Sequence, residues 1–220
     1  MKKKNNLIWD KLYSKRLHFS RWPWSDLVSA CSKYFQFNKK LKVLEIGCGV
    51  GANVPFFLSK NCSYTGVDIS KNAIKFLKRE YKSERLNFIH CDYINLKATE
   101  KFDLIIDRGS ITSGNSYDKI IKIINKINMD LKDNGKFICI DWYSKKTQSY
   151  KILNTKKNLV SVKKGPLFDV GLVFFINLSE IKQLLKKFKI INLSEKLINN
   201  YSNKIYSMAS WSFVCEKIKK

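Results

Sequence analysis

The chain has 220 residues, 45% of them hydrophobic, which suits one α/β domain with a sizeable core. Its formal net charge of +24 would be typical of a nucleic-acid-binding protein if the basic residues were clustered and rich in arginine. Instead, five of the 42 basic residues are arginines, and the lysines are spread along nearly every segment. The composition therefore makes nucleic acid an unlikely partner. It indicates a solvated basic surface that attracts small anionic substrates.

Neither a secretory leader nor a membrane span is predicted. Asp10 and Lys11 interrupt the first apolar stretch, and the longest one, Val170–Leu178, has about half the length that a bilayer crossing requires. The six cysteines are scattered singly without a C-x-x-C pair, which argues against a zinc site and a disulfide framework. These features predict a cytoplasmic protein with reduced thiols.

Apolar β-like runs alternate with helical patterns, which predicts a Rossmann-like parallel sheet with helices on both faces. The predicted strands are Leu41–Ile46, Ser63–Asp68, Leu86–Cys91, Phe102–Asp107 and Lys136–Asp141. Two further strands, near Ile190–Leu197 and Ile205–Glu216, are expected to form an antiparallel pair at the sheet edge.

Three helices are predicted from capping residues and apolar spacing. Ser70 caps a helix that carries Ala73, Ile74, Leu77 and Tyr81. Asn177–Glu180 forms a capping box for a last helix that runs through Phe188. A third helix has its core stripe at Ile120, Ile121, Ile124, Ile127 and Leu131.

The first forty residues differ from the rest in being rich in aromatic side chains. They predict a helical lid or extension over 1–40, with a helix entered at Ser25, attached to a main domain over 41–220. A helix that only covers the outside of the sheet is an equally good interpretation of most of these residues. A second long segment, Trp142–Asn177, is too long for an ordinary connection and is expected to form part of a substrate cover.

A glycine-rich loop follows the first predicted strand and precedes a helix. Gly47, Gly49 and Gly51 permit close backbone approach to a ligand, and Cys48 belongs to the same predicted loop. The pattern also satisfies the dinucleotide signature G-x-G-x-x-A, so it predicts a nucleotide cofactor without naming its class.

Carboxylates near the ends of the first three strands favour a sulfonium donor over a nicotinamide. Glu45 would attract a cationic amino group and repel a pyrophosphate, and Asp92 can accept from an adenine amino group. Asp68 stands where ribose hydroxyls are held, a role shared with nicotinamide enzymes, so it supports the fold more than the cofactor. The alternative for Asp92 and Asp107 taken singly is that each caps a following turn. Together the strand ends predict a cleft that binds one nucleoside.

The segments VLEIGCGVGAN, VDIS, FIHCDYINL and FDLIIDRGSI resemble motifs I to IV of class I S-adenosylmethionine-dependent methyltransferases, in the usual order. The resemblance is strong over Leu41–Asp141 and implies a seven-stranded sheet of order 3-2-1-4-5-7-6 with strand 7 antiparallel. It implies S-adenosylmethionine as cofactor, with S-adenosylhomocysteine as product. The site residues it implies are Glu45, Gly47, Gly49 and Asn53 around the methionine part, Asp68 and Ile69 at the ribose, Asp92 and Tyr93 at the adenine, and Asp107 and Arg108 beneath the sulfonium.

The opening segment, WDKLYSKRLHFSRWPWSDLVSACSKYF, resembles the leader of bacterial methyltransferases found in surface-polysaccharide (capsule) biosynthesis. In that group an aromatic N-terminal segment folds over the donor. The basic residue of an S-R-W/Y-P element meets the methionine carboxylate, and Arg21 matches it.

Methyl transfer is an in-line displacement, so alignment and exclusion of water are the main tasks of the protein. His18 is the candidate base for a hydroxyl acceptor, with a merely structural histidine as the alternative, and Arg108 is the candidate for orienting an anionic one. Asp107 and Asp141 end strands that carry magnesium ligands in catechol-type enzymes. Trp142 stands where an Asn would complete that site, so we predict no metal.

The expected acceptor is a small anionic molecule such as a sugar, a nucleotide-linked sugar, or a phosphorylated or phosphoramidate glycan precursor. An N-P-P-Y element, typical of amino-methylating nucleic-acid enzymes, does not follow the fourth strand. The alternatives are an RNA methyltransferase, a nicotinamide-dependent oxidoreductase and a catalytically silent donor-binding partner subunit. The sequence leaves monomer and homodimer open.

Overall fold

The structure is a computed structural model that describes residues 2–37, 40–153, 155–162, 167–201 and 206–219. Strands supply a central sheet and a small separate hairpin. In chain order they are β1 Lys42–Ile46, β2 Ser63–Asp68, β3 Leu86–His90, β4 Phe102–Arg108, β5 Leu131–Tyr143, β6 Leu159–Ser161, β7 Leu172–Phe174, β8 Phe188–Asn200 and β9 Tyr206–Lys217. Within the described ranges, no helix is long and apolar enough to cross a membrane.

The helices precede, connect or cover these strands. They are α1 Lys2–Ser14, α2 Ser25–Tyr34, α3 Val54–Ser59, α4 Lys71–Glu80, α5 Tyr117–Asp130, α6 Gln148–Ile152 and α7 Leu178–Leu184. Short 3-10 turns at Tyr93–Asn95 and Phe168–Val170 complete the regular structure in the described part of the chain.

The seven-stranded sheet has the order β3-β2-β1-β4-β5-β9-β8. Strands β1 to β5 pair in parallel, as helical crossovers between them require, whereas β9 is antiparallel to both β5 and β8. The predicted Rossmann-like order with one antiparallel strand is therefore confirmed. Because β1 to β5 are parallel, their carboxyl ends meet at one edge of the sheet.

Apolar side chains cover both faces of the sheet. On one face α5 and α7 contribute Ile124 and Ile181, and on the other α3 and α4 contribute Phe57 and Leu77, all buried against strand residues. This arrangement explains why the parallel strands read as continuous apolar runs, since both sides of each strand are buried.

The predicted caps are present, but one helix end differs. The Ser70 hydroxyl accepts from the Ala73 N–H, and Asn177 forms a reciprocal capping box with Glu180. The last helix, α7, ends at Leu184 and not at Phe188. The prediction was wrong there because Phe188 fits the apolar spacing of the helix, although it is buried as the first residue of β8.

The core stripe of α5 also needs correction. Ile121 is 37% exposed, and Ile123, which the prediction omitted, is buried together with Ile120, Ile124 and Ile127. A helix turns about 100° per residue, so Ile121 points away from the face that the others share. Leu131 is buried as predicted but begins β5.

Two segments that lie outside the sheet and its covering helices meet beside the carboxyl edge of the sheet. The connection from β5 to α7 contains α6, the β6–β7 hairpin and a small apolar cluster that includes Leu167 and Val170. Trp9 of α1 packs against this cluster. The N-terminal segment and the β5–α7 connection thus form a continuous cover over one end of the sheet.

Candidate functional site

A cavity of about 370 Å³ lies between this cover and the carboxyl ends of the parallel strands. Gly47 and Gly49 after β1, Asp68 at the end of β2 and Asp92 after β3 all line it. Three neighbouring strands therefore direct their predicted ligand-binding residues into one space. Side chains of the N-terminal segment and of the β5–α7 connection line this cavity without filling it.

The glycine turn after β1 has a conformation that favours glycine. Gly47, Gly49 and Gly51 have φ angles of 68°, 53° and 82°, in the left-handed region. A Cβ on Gly47 would lie 2.2 Å from the Cβ of Ser110, and one on Gly49 would lie 2.6 Å from the hydroxyl of Tyr13. The turn is therefore closely packed against the residues that follow β4 and against α1, and its backbone forms part of the cavity wall.

Asp68 fixes the glycine turn to the end of β2. One carboxylate oxygen accepts from the Gly49 N–H at 2.9 Å and the other from the Ser70 N–H at 2.8 Å. Burial raises the pKa of Asp68, and these two N–H groups oppose that rise. A carboxylate offers about four lone-pair sites, so Asp68 keeps acceptor capacity for hydroxyl groups in the cavity. Ile69 follows it in the wall.

Asp92 is held by a residue that the sequence did not single out. The Lys119 ammonium lies 2.8 Å from the Asp92 carboxylate, and both side chains line the cavity. The neighbouring Tyr93 is buried, and its hydroxyl donates to Asp130 at 2.8 Å. Lys119 escaped notice because it lies in the first turn of α5, where its spacing is that of an ordinary surface lysine.

Glu45 is buried in the cavity wall below the glycine turn. One carboxylate oxygen accepts from the Asn53 amide at 2.9 Å, and the other accepts from the Tyr64 hydroxyl. Burial raises the pKa of Glu45 to about 7, which these hydrogen bonds oppose. The side-chain oxygen of Asn53 in turn accepts from the backbone N–H of Trp24 at 3.2 Å. Asn53 therefore lies behind the cavity wall and connects Glu45 to the start of α2.

Asp107 does not line the cavity. Its carboxylate accepts from the indole N–H of Trp142 at 2.7 Å, from the backbone N–H groups of Ser110 and Ile111, and from the Ser110 hydroxyl. Burial raises the pKa of Asp107 to about 6 against these four donors. The expected position of Asp107 beneath a sulfonium stays a prediction, and in this structure its hydrogen bonds turn the carboxylate toward β5.

Arg108 does line the cavity, at the side away from Asp92. Its guanidinium lies 3.5 Å from the centre of the Trp24 ring and 2.8 Å from the Asp141 carboxylate. A cation held over an aromatic face and paired at one edge has a fixed orientation. Tyr143, two residues beyond Asp141, lines the same region of the wall.

The N-terminal segment covers the cavity with Trp9, Tyr13, His18 and Phe19. The Trp9 indole donates to Ser113 at 3.0 Å. His18 is an exposed residue at the rim, where its ring meets the edge of Trp9 at a centroid distance of 5.7 Å. Aromatic residues of this segment are therefore gathered at the site, whereas Trp22 is 80% exposed and lies outside the cavity.

Asp10 anchors this cover to α4. Its carboxylate accepts from the Ser70 hydroxyl at 2.7 Å and from the Asn72 N–H at 2.9 Å. Ser70 also donates its N–H to Asp68, so the anchor adjoins the carboxylate that holds the glycine turn. The position of α1 is thus coupled to the floor of the cavity through Ser70.

Arg21 lies outside the cavity. Its exposed guanidinium pairs with Glu80 at the end of α4 and lies 5.4 Å from the centre of the Phe76 ring. The expected contact between Arg21 and a methionine carboxylate stays a prediction, which this arrangement does not favour. Arg21 instead attaches the segment between α1 and α2 to α4.

A Rossmann-like sheet with a glycine turn and carboxylates at the ends of β1, β2 and β3 defines the class I methyltransferase fold. A family described as Methyltransferase domain matches residues 37–208. The chain belongs to this family.

Known proteins agree with this assignment. The chain is 31% identical over 114 residues to malonyl-[acyl-carrier protein] O-methyltransferase of Priestia megaterium, a match covering 51% of this chain and 40% of that protein. Across three curated relatives the matched part spans 36% to 57% of their lengths.

Solved structures agree in fold. A SAM-dependent methyltransferase from Methanosarcina mazei has a TM-score of 0.70 at 17% identity, covering 90% of this chain and all of that one. The N-methyltransferase NodS from Bradyrhizobium japonicum, solved with S-adenosyl-L-homocysteine, has a TM-score of 0.62 at 14% identity, covering 88% and 84% of the two chains.

The raised pKa of Glu45 predicts a pH dependence of stability. In the unfolded chain this carboxyl ionises near its ordinary pKa of 4.5, whereas the folded protein retains the proton up to about pH 7. The contribution of protonated Glu45 to the free energy of unfolding is therefore present in full below pH 4.5 and is lost as the pH rises to about 7. Glu45→Gln should lack this change.

Urea denaturation across this pH range measures the difference between wild type and Glu45→Gln. The exposed Glu84→Gln variant is the matched control for removing one carboxylate. A constant difference between wild type and Glu45→Gln across the range would contradict the assignment.

Proposed function

We propose that this protein transfers a methyl group from S-adenosylmethionine to an oxygen of a small anionic acceptor. The observation that carries the proposal is the convergence of the glycine turn, Asp68 and Asp92 on one cavity at adjacent strand ends. When it is ionised, the buried Glu45 beside the turn favours a donor with a cationic amino group over a nicotinamide dinucleotide, whose pyrophosphate it would repel.

The residues present fit S-adenosylmethionine. Asp68 has acceptor capacity for ribose hydroxyls, Asp92 for an adenine amino group, and the Gly47–Gly49 backbone allows close approach of the methionine part. When bound, this cofactor supplies a methyl group on a cationic sulfur. Lys119 holds the Asp92 carboxylate in place, and Ser70 and Gly49 hold that of Asp68.

The cover over residues 1–40 is proposed as the lid of a methyltransferase domain that spans 41–220. Trp9 and Tyr13 from α1, together with Leu167 and Val170 from the β5–α7 connection, line the cavity and exclude water from it. Exclusion of water and alignment of the two reactants are the main contributions that a protein makes to an in-line displacement. His18, at the rim, is the proposed base for a hydroxyl acceptor.

The proposed acceptor is a sugar, a nucleotide-linked sugar, or a phosphorylated or phosphoramidate glycan precursor in surface-polysaccharide biosynthesis. A covered cavity of about 370 Å³ suits a small molecule better than an RNA strand. Arg108 in its wall supports an anionic acceptor, and the O-methyltransferase name of the Priestia megaterium relative supports transfer to oxygen.

S-Adenosylhomocysteine should raise the melting temperature of the protein, whereas NAD should not. At about 100 times its Kd, a ligand that binds the folded state alone adds about 2.7 kcal/mol, or about 5–10 °C for a chain of this size. Asp68→Ala should abolish the shift, and exposed Asp118→Ala is the matched control. A response to NAD alone in differential scanning fluorimetry would reverse the proposal.

The lid proposal predicts that Asp10→Ala weakens S-adenosylhomocysteine binding by up to about tenfold, because the closed state of α1 loses its anchor on α4. Calorimetry measures the affinity, and trypsin cleavage after Lys15 and Arg16 reports opening, which the ligand should slow in wild type. Asp26→Ala, which removes an exposed ion pair of α2, is the control. Unchanged affinity and unchanged cleavage in Asp10→Ala would refute the lid.

The acceptor proposal predicts methylated products among phosphorylated and nucleotide-linked sugars incubated with the protein and S-adenosylmethionine, detected by mass spectrometry. The same assay with total RNA should give no methylated nucleoside, and RNA binding should be weak. Methylation of RNA together with steeply salt-dependent RNA binding would favour the alternative enzyme class.

A further inference from the structure

The side of the cavity away from Asp92 contains a tyrosine whose hydroxyl has no hydrogen-bond partner among the described residues. This residue, Tyr143, ends β5 and lines the cavity beside Arg108. Tyr143 is half-buried, and a polar group turned toward a cavity without a partner in the protein usually serves a ligand or water. The sequence did not single out Tyr143, because it reads as one more aromatic residue at a strand end.

Tyr143 and Arg108 face the same small region. A Cβ built on Gly109, between β4 and the following turn, would lie 3.1 Å from the Asp141 carbonyl oxygen and 3.8 Å from the Tyr143 hydroxyl. Asp141 also holds the Arg108 guanidinium through its carboxylate. The absence of a side chain at Gly109 therefore keeps space open beside the Tyr143 hydroxyl, on which the charge of Arg108 acts.

Both groups are hydrogen-bond donors near neutral pH. Burial raises the pKa of Tyr143 to about 12, although the nearby charge of Arg108 opposes the rise, so the phenol keeps its proton. Arginine has five N–H donors and no acceptor. The Asp141 carboxylate pairs with one edge of the Arg108 guanidinium, and the Trp24 ring covers one face. The remaining N–H groups can therefore donate to a ligand.

An ionised carboxylate or phosphate matches this pair, because its oxygens can accept from the guanidinium N–H groups and from the phenol hydroxyl together. The ion pair with Asp141 fixes the orientation of the guanidinium without occupying all of its N–H donors, since one guanidinium can bind two carboxylates at different edges. The Ser210 hydroxyl donates to the other Asp141 oxygen and keeps this carboxylate in place.

We propose that Tyr143 and Arg108 form an oxyanion-binding subsite that holds the carboxylate or phosphate of the methyl acceptor. The subsite rests on the proposed function, which it deepens by assigning the acceptor end of the cavity. Leu167 and Val170 provide an apolar wall for the rest of the acceptor. Tyr143 and Arg108 together specify an anionic acceptor over a neutral one.

Isothermal titration calorimetry on the protein saturated with S-adenosylhomocysteine tests the subsite. The probes are inorganic phosphate, acetate and acetamide, the last being a neutral analogue of acetate, at constant ionic strength. Phosphate, acetate or both should bind, and acetamide should not. The stronger of the two anions identifies whether phosphate or carboxylate is the preferred oxyanion.

Variants separate the subsite from the rest of the basic surface. Arg108→Gln should weaken binding of the preferred anion by about tenfold or more, and Tyr143→Phe by about three- to tenfold, since each removes hydrogen bonds to a charged group. Arg79→Gln and Tyr34→Phe, at positions outside the cavity, are the matched controls and should bind as wild type does. Far-UV circular dichroism shows that all four variants are folded, and S-adenosylhomocysteine affinity should persist in the two controls.

The subsite would be overturned if the wild type bound the anions no more tightly than acetamide. Equal anion affinities in wild type and Arg108→Gln would overturn it too. The titrations are repeated without S-adenosylhomocysteine. If the protein binds anions at Arg108 but does not bind S-adenosylhomocysteine, the subsite proposal stands and the cofactor proposal fails. The two proposals therefore fail separately.

Discussion

The carboxylate of Asp68 joins three parts of the site. It accepts from Gly49 in the turn after β1 and from Ser70 at the start of α4, and Ser70 in turn donates its hydroxyl to Asp10 of α1. The floor of the cavity, one wall and the cover are thus linked through Asp68 and Ser70. Because the carboxylate is buried, its hydrogen bonds are made in a medium where leaving a donor unpaired is expensive.

A parallel sheet makes this linkage possible. Strands that run in the same direction end at the same edge, so the residues after β1, β2 and β3 meet although they are far apart in the chain. The antiparallel strand β9 extends the sheet on the other side and places Ser210 against Asp141. The two halves of the cavity, proposed for donor and acceptor, therefore lie at the ends of different sets of strands.

Several carboxylates near the site have structural hydrogen bonds that a motif does not reveal. Asp107 has four donors and holds Trp142 of β5, while Glu45 connects Tyr64 and Asn53. Burial raises the pKa of both carboxyl groups, so the region tolerates few further negative charges in its walls. A donor that carries positive charge, and an acceptor whose negative charge is met by Arg108, suit this environment.

The sequence by itself determined the sheet, its order through the motif resemblance, the caps at Ser70 and Asn177, and the convergence of Asp68 and Asp92. These features depend on local spacing, on the period of apolar residues and on the rule that parallel strands end together. Tertiary structure decided where long side chains point. Arg21 pairs with α4 outside the cavity, and Tyr143 faces into it, because contacts with residues distant in sequence fix both orientations and no local pattern encodes them.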